Sequence, residues 1–139
     1  MIKQPIYLKE KMYNHLMSEG NKSTCEKVIF KNIKLLQKTS KKNHTDLIKL
    51  AVINSSPVIQ LRQIRKKKRK SIKEFPYVLK KQNRISLGVK MIVKNNETTS
   101  FYEEILLFSK KRSEVLKIKE TKQELALTTK KNIFFRWFF

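Results

Sequence analysis

The chain has 139 residues and carries 33 Lys+Arg against 11 Asp+Glu, a formal net charge of +22. That length predicts one domain spanning residues 1–139, and 40% hydrophobic residues are too many for a wholly disordered tail. Two Gly argue against a Gly-rich phosphate loop or a dinucleotide fold, and one Cys excludes an internal disulfide framework and a Cys-rich zinc site.

Met1-Ile2-Lys3-Gln4-Pro5 has neither an Arg/Ser-rich amphipathic stretch nor an apolar run, so it does not read as a transit or signal peptide. A first helix is predicted over Leu8 to Ser18, with Leu8, Met12 and Leu16 on one face and Gly20 beyond its end. Ser23-Thr24-Cys25-Glu26 has capping-box spacing and opens a second helix, whose apolar face is Cys25, Ile29, Ile33 and Leu36. Lys38 to Asn43 reads as a charged linker. Thr45-Asp46 opens a third helix through Leu47, Leu50 and Ala51 to about Asn54.

At Pro57 the period changes from 3.6 to 2. Val58 to Arg65 reads as a strand and Ile72 to Leu79 as its return, with Lys66-Lys67-Lys68-Arg69-Lys70 at the tip. Pro76 lacks a ladder donor and requires an edge, which a two-stranded ribbon supplies. The longest uncharged run, Leu50 to Leu61, holds Pro57 and is too short to span a bilayer, so no membrane partner is expected.

Helical spacing returns with Ile85, Val89, Ile92 and Val93, and Asn95-Asn96 break it. Ser100 with Glu103 forms a second capping box, followed by Phe101, Ile105 and Phe108 on one face. Thr121 with Glu124 forms a third, leading a last helix past Leu125 toward Phe134. The predicted fold is mainly α: about six helices with a β-hairpin inserted between the third and fourth.

This order of elements, with the residues at three places, resembles the universal small-subunit ribosomal protein S-seven family. The first place is Leu16-Met17-Ser18-Glu19-Gly20-Asn21-Lys22-Ser23-Thr24-Cys25. The second is Pro57 with its strand, then Phe75-Pro76-Tyr77-Val78 and Arg84 to Val93. The third is Phe135-Arg136-Trp137, like the family's terminal Tyr-Arg-Trp. The likeness runs from about Leu8 to Trp137. The chain departs from the family in lacking most of a long basic N-terminal arm and in having Lys/Arg where the hairpin tip usually has Gly-Gly. Gly88 replaces a helical Ala, Met91 a common Trp, Ser113 a Gly and Gln123 a His.

The charge itself requires a polyanion. Candidate RNA-binding residues are Lys22, Ser23 and Thr24 at the second helix start; Arg62, Arg65, Lys66, Lys67, Lys68, Arg69 and Lys70 on the ribbon; and Lys80, Lys81, Arg84, Lys90 and Lys94 into the fourth helix. Arg112, Lys117, Lys119, Lys130, Lys131, Arg136 and Trp137 complete the set. The 27 Lys against 6 Arg favour phosphate contact over base reading, since Lys is a point charge and Arg a planar fork. For Phe135, Trp137 and Phe138, stacking on bases and packing on the domain or a neighbour both stay open. The expected anchor of the chain end is Phe134 or Phe135.

Catalysis has little support. His15 flanks the first apolar stripe, His44 is placed in a loop, and neither has a ligand at metal spacing. Cys25 reads as a small core residue. Glu103-Glu104 are adjacent and point apart, and Glu26, Glu103 and Glu124 serve helix starts. No enzyme activity, metal or cofactor is expected.

The resemblance implies a structural protein of the small ribosomal subunit. It would bind the 3′ (head) domain of the small-subunit rRNA in assembly, beside other head proteins and near the exit-site tRNA and mRNA path. No homo-oligomer is expected of a chain that repels itself. Lys, Asn and Ile enrichment points to an A/T-biased genome, and the Lys-rich, shortened form to a mitochondrial ribosome, with a plastid one as alternative. The other function class is a basic helical DNA-binding or nucleoid protein. A nuclease would need an acidic metal cluster, which the sequence lacks.

Overall fold

The computed structural model describes residues 4–17, 19–65, 72–94 and 100–133. The elements run α1 (Gln4–Leu16), α2 (Lys22–Thr39), α3 (His44–Ser55), β1 (Ile59–Arg65), β2 (Ile72–Val78), α4 (Lys81–Lys94), α5 (Phe101–Ser109) and α6 (Val115–Thr128). The expected plan of six helices, with a hairpin between the third and fourth, is the plan observed.

The helical periodicities converge on one apolar cluster. Met12 and Tyr13 of α1 meet Cys25, Ile29 and Leu36 of α2, Ile48, Ala51 and Val52 of α3, Val89 and Ile92 of α4, and Phe101, Ile105 and Phe108 of α5. α3 lies at the centre, packed on α4 and α5. Its inward face is Leu47, Ile48, Ala51 and Val52, whereas Leu50, expected inside, is exposed. Positions 47, 48, 51 and 52 share one helical face, and 50 lies off it.

Gly88 is where α4 touches the end of α3. A Cβ there would sit 3.0 Å from Ser55 Oγ and 3.2 Å from both the Cα and N of Ser56. The fully buried Ser55 shares its hydroxyl between Val52 O at 3.1 Å and Gly88 O at 3.2 Å. The helix-propensity cost of Gly is the condition for this close crossing.

The hairpin is antiparallel with Ile59 opposite Val78 and Arg65 opposite Ile72. Leu79 N–H donates to Val58 O at 3.1 Å. Bonded and non-bonded pairs alternate along such a ladder, so Pro76, opposite Leu61, falls in a non-bonded pair. Its missing N–H is on the outer side of the ribbon, as its chemistry demands. The ribbon is not isolated: α6 packs on β1, and Asn132 Nδ2 donates to Glu74 O at 3.0 Å.

The capping boxes need correction. α2 begins at Lys22 after Asn21, so its cap position falls two residues before the expected Ser23, and no side chain caps it. Ser100 does precede α5, but its hydroxyl makes no cap hydrogen bond, and Glu103 accepts from Tyr102 OH at 3.2 Å. Thr121 and Glu124 lie inside α6, where Thr121 Oγ1 donates back to Ile118 O at 2.9 Å. The reach of a hydroxyl to a free N–H decides a cap, and spacing alone does not test it. The side chain that does cap is Asn43, accepting from Thr45 N–H at the start of α3. His44 is therefore the first residue of α3 and not a loop residue.

α5 ends in a Schellman turn. Lys111 has φ of 56°, and Arg112 N–H reaches back to Leu107 O at 2.9 Å. Asn54 then ties three helices together. Its Nδ2 donates to Phe108 O at 2.9 Å, and its own carbonyl accepts from Lys119 Nζ at 2.9 Å.

Candidate nucleic-acid interface

The alternation of β1 places Gln60, Arg62 and Ile64 on one face of the ribbon, opposite Tyr77, Phe75 and Lys73. Tyr77 OH donates to Gln60 Oε1 at 2.8 Å, and the Arg62 guanidinium lies 4.7 Å from the Tyr77 ring centroid. Arg62, an exposed residue, is thus held over an aromatic platform. Arg65 is exposed at the end of β1. Lys66, Lys67, Lys68, Arg69 and Lys70, the expected tip, lie outside the described residues.

At the base of the ribbon, Lys80 and Lys81 are exposed. Arg84 is half-buried, and its Nε donates to Leu79 O at 3.2 Å, fixing the strand-to-helix junction. Among the described residues, its other four N–H donors have no partner and can serve a phosphate. Lys130 and Lys131 are exposed just beyond α6, next to the Asn132 tether to β2. The hairpin, its base and the end of α6 therefore form one basic region.

Other candidates lie elsewhere. Lys90 and Lys94 are exposed, but nine residues separate Lys81 from Lys90, which puts them on opposite sides of α4. Lys90 lies by α1, where burial first, and then Lys11 and Lys90, push the His15 pKa down. His15 Nε2 lies 3.1 Å from Ser86 Oγ. Lys22, Ser23 and Thr24 are exposed in an acid-free, side-chain-uncapped first turn of α2. Arg112 and Lys117 are exposed. Lys119 turns inward to Asn54 O at the end of α3, and its pKa is lowered by burial and then by Lys111. A cation at a helix C-terminus is favourable, so this lysine has a structural task. Arg136 and Trp137, with Phe134, Phe135 and Phe138, lie outside the described residues.

Among the described residues, the titratable groups do not assemble a catalytic constellation. Glu103 is exposed while Glu104 is buried and accepts from Ser113 Oγ at 3.3 Å, so the two adjacent carboxylates do point apart. Cys25 is buried with Sγ 3.7 Å from Tyr13 O, and burial followed by Glu26 raises its thiol pKa. Among the described residues, no three His, Cys, Asp or Glu side chains are grouped to hold a metal ion, and no helix is long and apolar enough to cross a membrane. A cleft of about 520 Å³ between α1, α2 and α3 has an apolar floor that includes Met12, Ile29 and Ile48 and no acidic lining residue.

A row of exposed cations that is absent from the candidates above runs along α2: Lys27, Lys31, Lys34 and Lys38. Their i, i+4, i+7, i+11 spacing was the available signal.

The model of the family described as ribosomal protein S7p/S5e matches residues 2–130. The chain is 27% identical over 128 residues to small ribosomal subunit protein uS7m of Schizosaccharomyces pombe, covering 87% of this chain and 49% of that one. It is 25% identical over 134 residues to small ribosomal subunit protein uS7 of Sulfurimonas denitrificans, covering 91% and 85%. Small ribosomal subunit protein uS7c of Euglena longa is 28% identical over 87 residues, covering 63% and 48%. The chain thus spans about half the length of the first and third of these relatives.

Proposed function

The chain belongs to the ribosomal protein S7p/S5e family, and from that membership we propose that it is a structural constituent of the small ribosomal subunit, acting as one domain that binds the 3′ (head) domain of the small-subunit rRNA and supports its assembly. The observation that carries this reading is the family match over residues 2–130, on a chain of net charge +22. The hairpin region is the primary contact. Arg62, Arg65, Lys80, Lys81, Arg84, Lys130 and Lys131 meet phosphates there, joined by the tip residues Lys66 to Lys70. Counterion release supplies the affinity, and the RNA backbone shape supplies the selectivity. The surfaces carrying Lys22, Lys90, Lys94, Arg112 and Lys117 make outlying contacts. The hairpin and the chain end with Arg136 and Trp137 lie near the exit-site tRNA and the mRNA path, beside other head proteins.

The setting is an organellar ribosome, mitochondrial in our reading, with a plastid one as alternative. The uS7m and uS7c relatives support an organellar setting, and bacterial uS7 relatives stand beside them. Sedimentation at moderate salt tests the proposal. The protein is expected in the small-subunit fraction; its absence from that fraction would overturn the reading.

A further inference from the structure

We propose that the outer face of α2 is a second RNA-contact surface, which holds a single-stranded RNA segment through four lysines and the ring of Phe30. The inference rests on the RNA-binding reading above and adds a site distant from the hairpin region. α2 packs chiefly on α1, α3 and α5, whereas the ribbon packs on α6.

Lys27, Lys31, Lys34 and Lys38 lie within an arc of roughly 60° at 100° per residue, opposite the buried Cys25, Ile29 and Leu36. They span about 16 Å along the axis. A solvated helix face ordinarily mixes its signs, as α6 does with Lys117, Glu120, Lys122 and Glu124. On α2 the sole carboxylate is Glu26, which stands at neither i±3 nor i±4 from any of the four. Among the described residues none of the four has an ion pair or hydrogen bond. Like charges at helical spacing repel, so the free protein carries an uncompensated row that a polyanion relieves.

Phe30 selects the kind of polyanion. It stands at the edge of the row, 52% exposed, and Lys9 Nζ of α1 lies 5.1 Å from its ring centroid. A duplex would offer the row phosphates but no free base for the ring. A single strand offers both, and cations interleaved with an exposed aromatic form the surface that such strands use. Phosphates meet the lysines while an unstacked base lies on Phe30.

The test is ultraviolet crosslinking with peptide mapping on intact small subunits, paired with binding of the full chain to oligouridine. A nucleotide crosslinked at Phe30 is expected. Replacing Lys27, Lys31, Lys34 and Lys38 together by Gln should reduce the salt slope for oligouridine by about 3, at roughly 0.7 per phosphate. Phe30→Ala should weaken oligouridine binding about fivefold to a hundredfold, and Phe30→Trp should restore it. Crosslinks on the hairpin or α4 with none on α2, or an unchanged slope, would overturn this inference and leave the ribosomal reading standing. An acidic protein segment found crosslinked to the row would also overturn it. No crosslink on any element, with no sedimentation beside the subunit, would overturn the ribosomal reading itself.

Discussion

Ser113 shows how one residue gives a buried carboxyl group a hydrogen-bond donor. Glu104 is 2% exposed, and Ser113 Oγ donates to its carboxylate while accepting from Val115 N–H at 3.4 Å. Ser113→Gly should lower unfolding stability by about 1–3 kcal/mol, because it strips a donor from a buried acceptor. Urea unfolding measures it, and unchanged stability would show that the Ser113 contact contributes nothing. Gly88 makes the converse case. Ala would gain about 1 kcal/mol of helix propensity but would press on Ser55 Oγ and the Ser56 backbone, where overpacking costs about 1–3 kcal/mol. Gly88→Ala should therefore be net destabilising by thermal denaturation; a gain in melting temperature would refute the tight crossing.

His15 carries a pH dependence. Its folded pKa is lowered, by burial and by Lys11 and Lys90, so between that value and the ordinary histidine pKa the unfolded chain binds more protons. Stability then rises with pH across that interval and is lost as pH falls from neutral through it. His15→Gln should flatten the decline of melting temperature between about pH 7 and pH 5, above the ordinary carboxylate range. A decline as steep as the parent's would show that His15 does not couple folding to pH.

Among the elements, the ribbon was legible because Pro57 and the switch to period 2 are local signals, but its register was not, since no turn motif fixes it. The helices were legible through their apolar faces, since burial is the reason they form. Their starts were not. Three boxes with the right spacing made no side-chain cap, while Asn43 did cap α3, because cap formation depends on whether a hydroxyl or amide reaches a free N–H. The contacts of Lys119 with Asn54, and of Asn132 with Glu74, join residues 65 and 58 apart in sequence and leave no periodic trace. The basic residues of the candidate site could be named from the sequence, but not sorted. Only the fold separates Arg62 above Tyr77 from Lys119 turned inward, and Lys81 from Lys90 across α4. At the ribbon, Arg62→Ala with Arg65→Ala should reduce the salt slope of rRNA binding by about 2, one for each phosphate contact. Both side chains are exposed, so each change should stay within about 0.5 kcal/mol of parental stability. An unchanged slope in a folded variant would remove the ribbon from the interface.

Taken whole, the molecule is a small helical core with exposed cations on every described element but α5. A +22 chain self-repels when alone and is relieved when surrounded by phosphate. With around ten phosphate contacts, log K for rRNA should fall against log salt with a slope of about −7 to −9. The charge alone does not distinguish rRNA from DNA. The arrangement of hairpin, α4 and α6 must do so by fitting one RNA shape. The measurement that reaches this claim most directly is a competition at near-physiological salt. The full chain is offered the 3′-domain transcript of its small-subunit rRNA, the 5′-domain transcript, and duplex DNA of equal length. Binding to the 3′ domain should be at least about tenfold tighter than to either competitor, a difference of about 1.4 kcal/mol or more. Equal affinity for all three, or preference for duplex DNA, would contradict it.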